Sequence, residues 1–80
     1  MRLIMQFQHV DNAQNGEFYL DDDLGKRIAE ISYIWNGEDK IIANHTWVDD
    51  SLRGQGVARQ LLDTLVDFTR EKQLKIVQTC

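Results

Sequence analysis

Proline is absent from the 80 residues, cysteine occurs once, at Cys80, and glycine at only five positions. With no Pro-rich linker, internal repeat or low-complexity stretch, the sequence reads as one domain spanning 1–80, either trimmed after its last strand or naturally short. A lone cysteine can neither close an intramolecular disulfide nor furnish a multi-cysteine zinc site, so no metal centre is expected. Secreted domains this small usually need such a staple, which points to a cytoplasmic protein. Long apolar runs are missing as well. The run Met1-Arg2-Leu3-Ile4-Met5 gives way to Gln6 and Gln8, too short for a signal peptide, and no segment approaches membrane-spanning length. Positive charge is scarce too, with 9 Lys and Arg against 13 Asp and Glu, a net charge of -4. That balance argues against broad nucleic-acid binding.

What is present suits a small globular core, with 42% hydrophobic residues and Trp, Tyr and Phe all represented. The charge is uneven. Residues 1–50 hold ten acids against four bases, and residues 51–80 hold three against five, giving -6 and +2, which sum to the net -4.

The first half reads as an antiparallel meander. A strand is expected near residues 2–10, Asn15-Gly16 is a turn signal, and Glu17 to Leu20 alternate into a second strand. After Asp21-Asp22-Asp23-Leu24-Gly25 comes a third, Lys26 to Trp35, with Ala29, Ile31, Tyr33 and Trp35 on one face and Ile28, Ser32 and Ile34 on the other. Asn36-Gly37-Glu38-Asp39 turns the chain into a fourth strand, Lys40 to Val48. There strict alternation puts His45 on one face with Ile41, Ala43 and Trp47.

A helical period then takes over, with Ala58, Leu61, Leu62, Leu65, Val66 and Thr69 spaced as one buried stripe. Lys75 to Cys80 returns as a fifth strand, which a crossover of this length sets parallel to the fourth. The expected class is α+β with a mixed sheet: four antiparallel strands, a glycine loop, one long helix and a parallel return strand.

The loop itself, Asp49 to Ala58, joins strand to helix through Gly54 and Gly56. Glycine lets backbone approach a ligand closely, and the free N–H groups of a helix start attract an anion. Arg53 and Arg59 flank the loop and suit a phosphate. The Gly-Lys-Ser/Thr ending of a nucleotide-binding P-loop is lacking.

This architecture resembles the GNAT superfamily of acyl-CoA-dependent N-acyltransferases. Its motif is Gln or Arg, any two residues, Gly, any residue, then Gly or Ala, filled here by Arg53, Gly56 and Ala58. Asn44-His45-Thr46-Trp47-Val48 and Ile76-Val77-Gln78-Thr79-Cys80 are similar to the small stand-alone GNAT-like N-acetyltransferase subgroup. The resemblance spans roughly residues 17–80. It implies that acetyl-CoA rests its pyrophosphate on backbone amides of Arg53, Gly54, Gln55, Gly56, Val57 and Ala58, with Arg59 beside them, and lays its pantetheine arm along the fourth strand near Val48. An amide around Val48 would then stabilise the oxyanion.

Histidine titrates near neutrality, so His45 becomes the candidate base within that family context, against the alternative of a packed structural residue. Cys80 would face the cleft near the thioester sulfur as an acyl relay, against the alternative of a small apolar residue. The N-terminal helices that hold the acceptor in larger members, and the C-terminal helix with its proton-donating tyrosine, have no counterpart here. The expected activity is transfer of an acetyl group to a primary amine of a small molecule or protein. Alternatives are a CoA-binding module without turnover and an interaction domain using Trp35 or Trp47. Self-association through the fifth-strand edge is also expected.

Overall fold

The computed structural model describes residues 6–78. Five strands, β1 (Gln8–Asp11), β2 (Asn15–Asp21), β3 (Arg27–Trp35), β4 (Lys40–Val48) and β5 (Lys75–Gln78), form one sheet in chain order, and helix α1 (Val57–Lys72) connects β4 to β5. Strands β1 to β4 pair antiparallel and β5 pairs parallel with β4. The mixed sheet read from alternation and helical period is the observed one.

The first hairpin departs from expectation. Asn15 and Gly16 begin β2 instead of making the turn. Asn12 reverses the chain, its Oδ1 accepting the N–H groups of Gln14 at 2.8 Å and Asn15 at 2.9 Å, a side chain doing the work of a backbone turn. The described part of the first strand is Gln8–Asp11, and residues 1–5 lie outside the described residues.

One face of the sheet packs on the helix. Phe18, Ala29, Ile31, Tyr33 and Ile41 meet Val57, Leu61, Leu65 and Phe68 in a single core. Burying each large apolar side chain there contributes roughly 1.5–3 kcal/mol. The helix stripe is rotated from the predicted one: Val57 and Phe68 are buried, Leu62 and Val66 half-buried, and Ala58 exposed. The aromatic contacts explain the rotation, since Phe68 docks edge-on against Phe18 and tilts against Tyr33, both at 5.5 Å between centroids. At its end α1 stops on Gln73 at φ 57, and the Leu74 N–H closes the last turn on Thr69 O at 2.7 Å.

Two bulges decide which side chains share a face. In β4, His45 pairs with Ser32 and Ala43 with Tyr33, so Asn44 is an extra residue. A bulge inverts the alternation beyond it. The expectation that His45 and Trp47 share a face with Ile41 and Ala43 is therefore corrected. Ile41 and Ala43 face α1, whereas His45 and Trp47 face away, and Thr46 and Val48, opposite Ile31 and Ala29, take the helix side. In β3, Ile28 is likewise skipped between the pairs Leu20 with Ala29 and Asp21 with Arg27. Arg27 thereby turns to the open face, where its guanidinium lies 3.8 Å above the Tyr19 ring. Trp35 packs against the helix-side core, while Trp47 is 38% exposed on the open side.

Candidate functional site

The chain leaves β4 at Val48 and enters a single 3₁₀ turn, Asp50–Leu52. Asp49 caps it: its Oδ2 accepts the Ser51 hydroxyl at 2.6 Å and the Ser51 N–H at 3.0 Å. The hydroxyl bond first, then the backbone bond, holds the Asp49 carboxyl below its ordinary range. The Arg53 N–H donates to Asp50 O and the Gln55 N–H to Leu52 O, at 3.1 and 3.3 Å. Gly54 and Gly56 sit at φ 81 and φ 73, a left-handed backbone that glycine adopts without steric cost.

The first bond that α1 closes runs from the Gln60 N–H to Gly56 O at 3.1 Å. The N–H groups of Gly54, Gly56, Val57, Ala58 and Arg59 consequently have no acceptor among the described residues. The expected run of donors, Arg53 through Ala58, is narrowed by the geometry. Arg53 and Gln55 use their amides inside the loop, and Arg59 adds one. A Cβ built on Gly54 or Gly56 would meet nothing within 4 Å, so nothing packs against the loop where a side chain would project from either glycine. Unpaired donors at a helix start suit a phosphate group.

Side-chain charge at the loop is loosely held. Arg53 pairs with Asp50 at 2.9 Å and Arg59 with Asp63 at 3.3 Å, all four side chains well exposed. Exposed pairs of this kind contribute little, so both guanidinium groups can turn to a bound anion. No group of His, Cys, Asp and Glu among the described residues could hold a metal ion. Nor is any described helix long and apolar enough to cross a membrane.

Beside the loop, β5 accompanies β4 only from Lys40 to Ala43, and the stretch from His45 to Val48 has no β5 partner among the described residues. Val48 is half-buried opposite Ala29, next to the loop. His45 is exposed on the other side of the sheet, and its carbonyl accepts the Ser32 hydroxyl at 3.4 Å. Cys80 lies outside the described residues.

Two features escaped the sequence reading because each depends on contacts between distant residues. A groove of about 310 Å³ crosses the open face at the Asn44 bulge, bounded by Asn12, Asn15, Glu17, Ser32 and Asn44 with Val10 and Ile34 as apolar walls. At its side Arg27 is shared by Glu17, Asp21 and Glu30, at 3.2, 3.0 and 3.5 Å. On the helix side, His9, Tyr33 and Asp11 form a chain of hydrogen bonds. Tyr33 donates to the Asp11 carboxylate, which also takes the Trp35 indole N–H at 3.1 Å. Because a carboxylate only accepts, the Tyr33 proton is committed, and His9 Nε2 must be the donor in its 2.8 Å bond to the Tyr33 oxygen.

Comparisons with known proteins agree with the topology. Protein NATD1 of Xenopus tropicalis is 36% identical over 52 residues, 65% of this chain and 48% of that protein, so the chain spans about half the length of this relative. The solution structure of a GCN5-like protein from Staphylococcus aureus superimposes with a TM-score of 0.71 at 37% identity, covering 94% of this chain and 70% of its own. The structure of AAC(6')-Iy with a CoA-based bisubstrate analogue shares the fold at a TM-score of 0.64 and 20% identity, covering 86% of this chain and 52% of its own. The profile of the GCN5-related N-acetyl-transferases matches residues 17–80, from the second strand through the glycine loop to the end of the sequence. With that match, the ordered strands and the open loop at the helix start, the chain belongs to the GCN5-related N-acetyltransferase family.

Proposed function

We propose that the protein transfers an acetyl group from acetyl-CoA to a primary amine. The observation that carries this reading is the set of five unpaired amides, Gly54, Gly56, Val57, Ala58 and Arg59, at the start of α1, in a loop whose two glycines have nothing packed where a side chain would project. Such a set suits the diphosphate of coenzyme A, and a fold relative has been solved with a CoA-based analogue. Bound acetyl-CoA would supply the acyl group already activated as a thioester.

The rest of the machinery belongs to this chain. Arg53 and Arg59 swing from their acidic partners to complete the phosphate cradle. Backbone around Val48, next to the loop, lines the pantetheine arm and offers an N–H where negative charge develops on the acyl oxygen. His45, on the open side, takes the proton from the incoming amine. The amine approaches over that face, where the groove at Asn44 lies. Cys80, outside the described residues, is kept as the candidate acyl relay, and direct transfer does not require it.

The test is a calorimetric titration with acetyl-CoA, desulfo-CoA and ATP, followed by assay of thiol release. Binding of both CoA compounds but not ATP, with thiol released only when an amine is supplied, is the expected result. Acetyl-CoA binding with no release for any amine would reduce the protein to a CoA-binding module, and no binding at all would remove the reading.

A further inference from the structure

We infer that the groove at the Asn44 bulge receives a linear diamine, with Glu17 anchoring the end that does not react. This rests on the acetyl-transfer reading above and names its acceptor class.

The cross-strand register sets the scale. Glu17 pairs with Ser32 and Ser32 with His45, which places all three in one row on the open face. Glu17 is two strands from β4, and two strand spacings amount to about 10 Å. A nitrogen that attacks an acyl group must be neutral, whereas one held by a carboxylate stays protonated. Glu17 therefore cannot serve the reacting end, which has to lie at β4, but it suits a second ammonium about 10 Å away.

The groove between them has the matching chemistry. Val10 and Ile34 offer apolar walls to methylene groups, Asn12, Asn15, Ser32 and Asn44 offer neutral polar groups, and among the described residues neither Lys nor Arg lines the groove. Arg27, which touches Glu17, is divided among three carboxylates and leaves Glu17 capacity for a further donor. A volume of about 310 Å³ admits a small chain molecule. It lies at the lower limit of small-molecule sites.

The experiment follows the side-chain amide signals of Asn12, Asn15 and Asn44 in nitrogen-edited NMR spectra during titration with diaminoheptane, heptylamine and diaminoethane. Diaminoheptane should move these signals and saturate at a concentration at least tenfold lower than the same-length monoamine or the short diamine. Glu17→Gln should erase that advantage, and it is a near-isosteric change that leaves Arg27 paired with Asp21 and Glu30. Equal affinities, shifts confined to other residues, or an advantage that survives Glu17→Gln would overturn the inference. A CoA titration on the same sample separates the two claims. CoA binding without diamine preference sinks this inference alone, and absence of CoA binding sinks the acetyl-transfer reading whatever the amines do.

Discussion

Gly16 of β2 and Tyr33 of β3 are cross-strand partners, and the tyrosine hydroxyl end lies directly over the glycine. A Cβ at position 16 would fall 2.5 Å from Tyr33 Cζ and 2.9 Å from Asp11 Oδ2. Here glycine is selected by close approach, because no other residue leaves the ring room to reach Asp11. Gly16→Ala should therefore lower stability by about 3 kcal/mol, the upper end of the roughly 1–3 kcal/mol usual for forcing atoms into a packed core. Tyr33→Phe, which spares the ring and leaves Asp11 its bond from Trp35 but removes the hydroxyl that links His9 to Asp11, should cost about 0.5–1.5 kcal/mol. Thermal melts of the two variants check the order, and a Gly16→Ala protein as stable as the parent would show that the ring shifts freely.

His9 makes stability depend on pH. Partial burial lowers its pKa below the ordinary 6.5, against the pull of Asp11 and with a smaller push from Lys72 in the same direction as burial. The folded protein thus binds fewer protons than the unfolded chain just below pH 6.5. The stability is fully present above the unfolded value and is lost as pH falls from about 6.5 toward the folded value. Melting temperature should drop across that window. His9→Gln should flatten the profile there, and an unchanged slope would assign the loss to other groups.

Gly56 carries two separable roles. At φ 73 any L-residue adds backbone strain of about 1–2 kcal/mol, and open space around the site means no clash is added to it. Gly56→Asp should show that modest loss of stability together with at least a tenfold loss of CoA affinity, because a carboxylate then faces the phosphate. Gly37→Asp, at φ 89 in the distant hairpin, is the control: similar strain, unchanged CoA binding. Equal CoA affinity in both variants would remove the loop as the binding site.

His45→Ala tests the base directly. The side chain is exposed on the open face, so the melting temperature and CoA affinity should hold while kcat falls by about 10²-fold or more. Retention of the parent rate and pH profile would make His45 a bystander.

Gln73 is the one non-glycine residue with a positive φ among the described residues, at 57, and it caps α1. Gln73→Gly should raise stability by about 0.5–1 kcal/mol through relief of left-handed strain. Denaturant unfolding at constant m-value measures it, and a destabilised variant would mean that glycine's gain in unfolded-state entropy outweighs that relief.

By itself the sequence determined the parts that depend on neighbours along the chain. Alternation from Ala29 to Trp35 assigned both faces of that part of β3, the three-and-four spacing after Ala58 located α1, and the two glycines between Val48 and Val57 marked the loop. Each is a local periodicity or a backbone requirement, and both are written in consecutive residues. Only the tertiary structure decided what arises between distant ones. The turn moved to Asn12 because its side chain closes there, which freed Gly16 to sit beneath Tyr33. Phe68 rotated the helix stripe by docking on rings from β2 and β3. Most consequential is Asn44: one unpaired residue inverted every side chain after it, taking His45 from the helix side to the open face, and Asn44 itself lines the groove there. Nothing in consecutive residues specifies a bulge, since pairing with β3 is what leaves one residue without a partner.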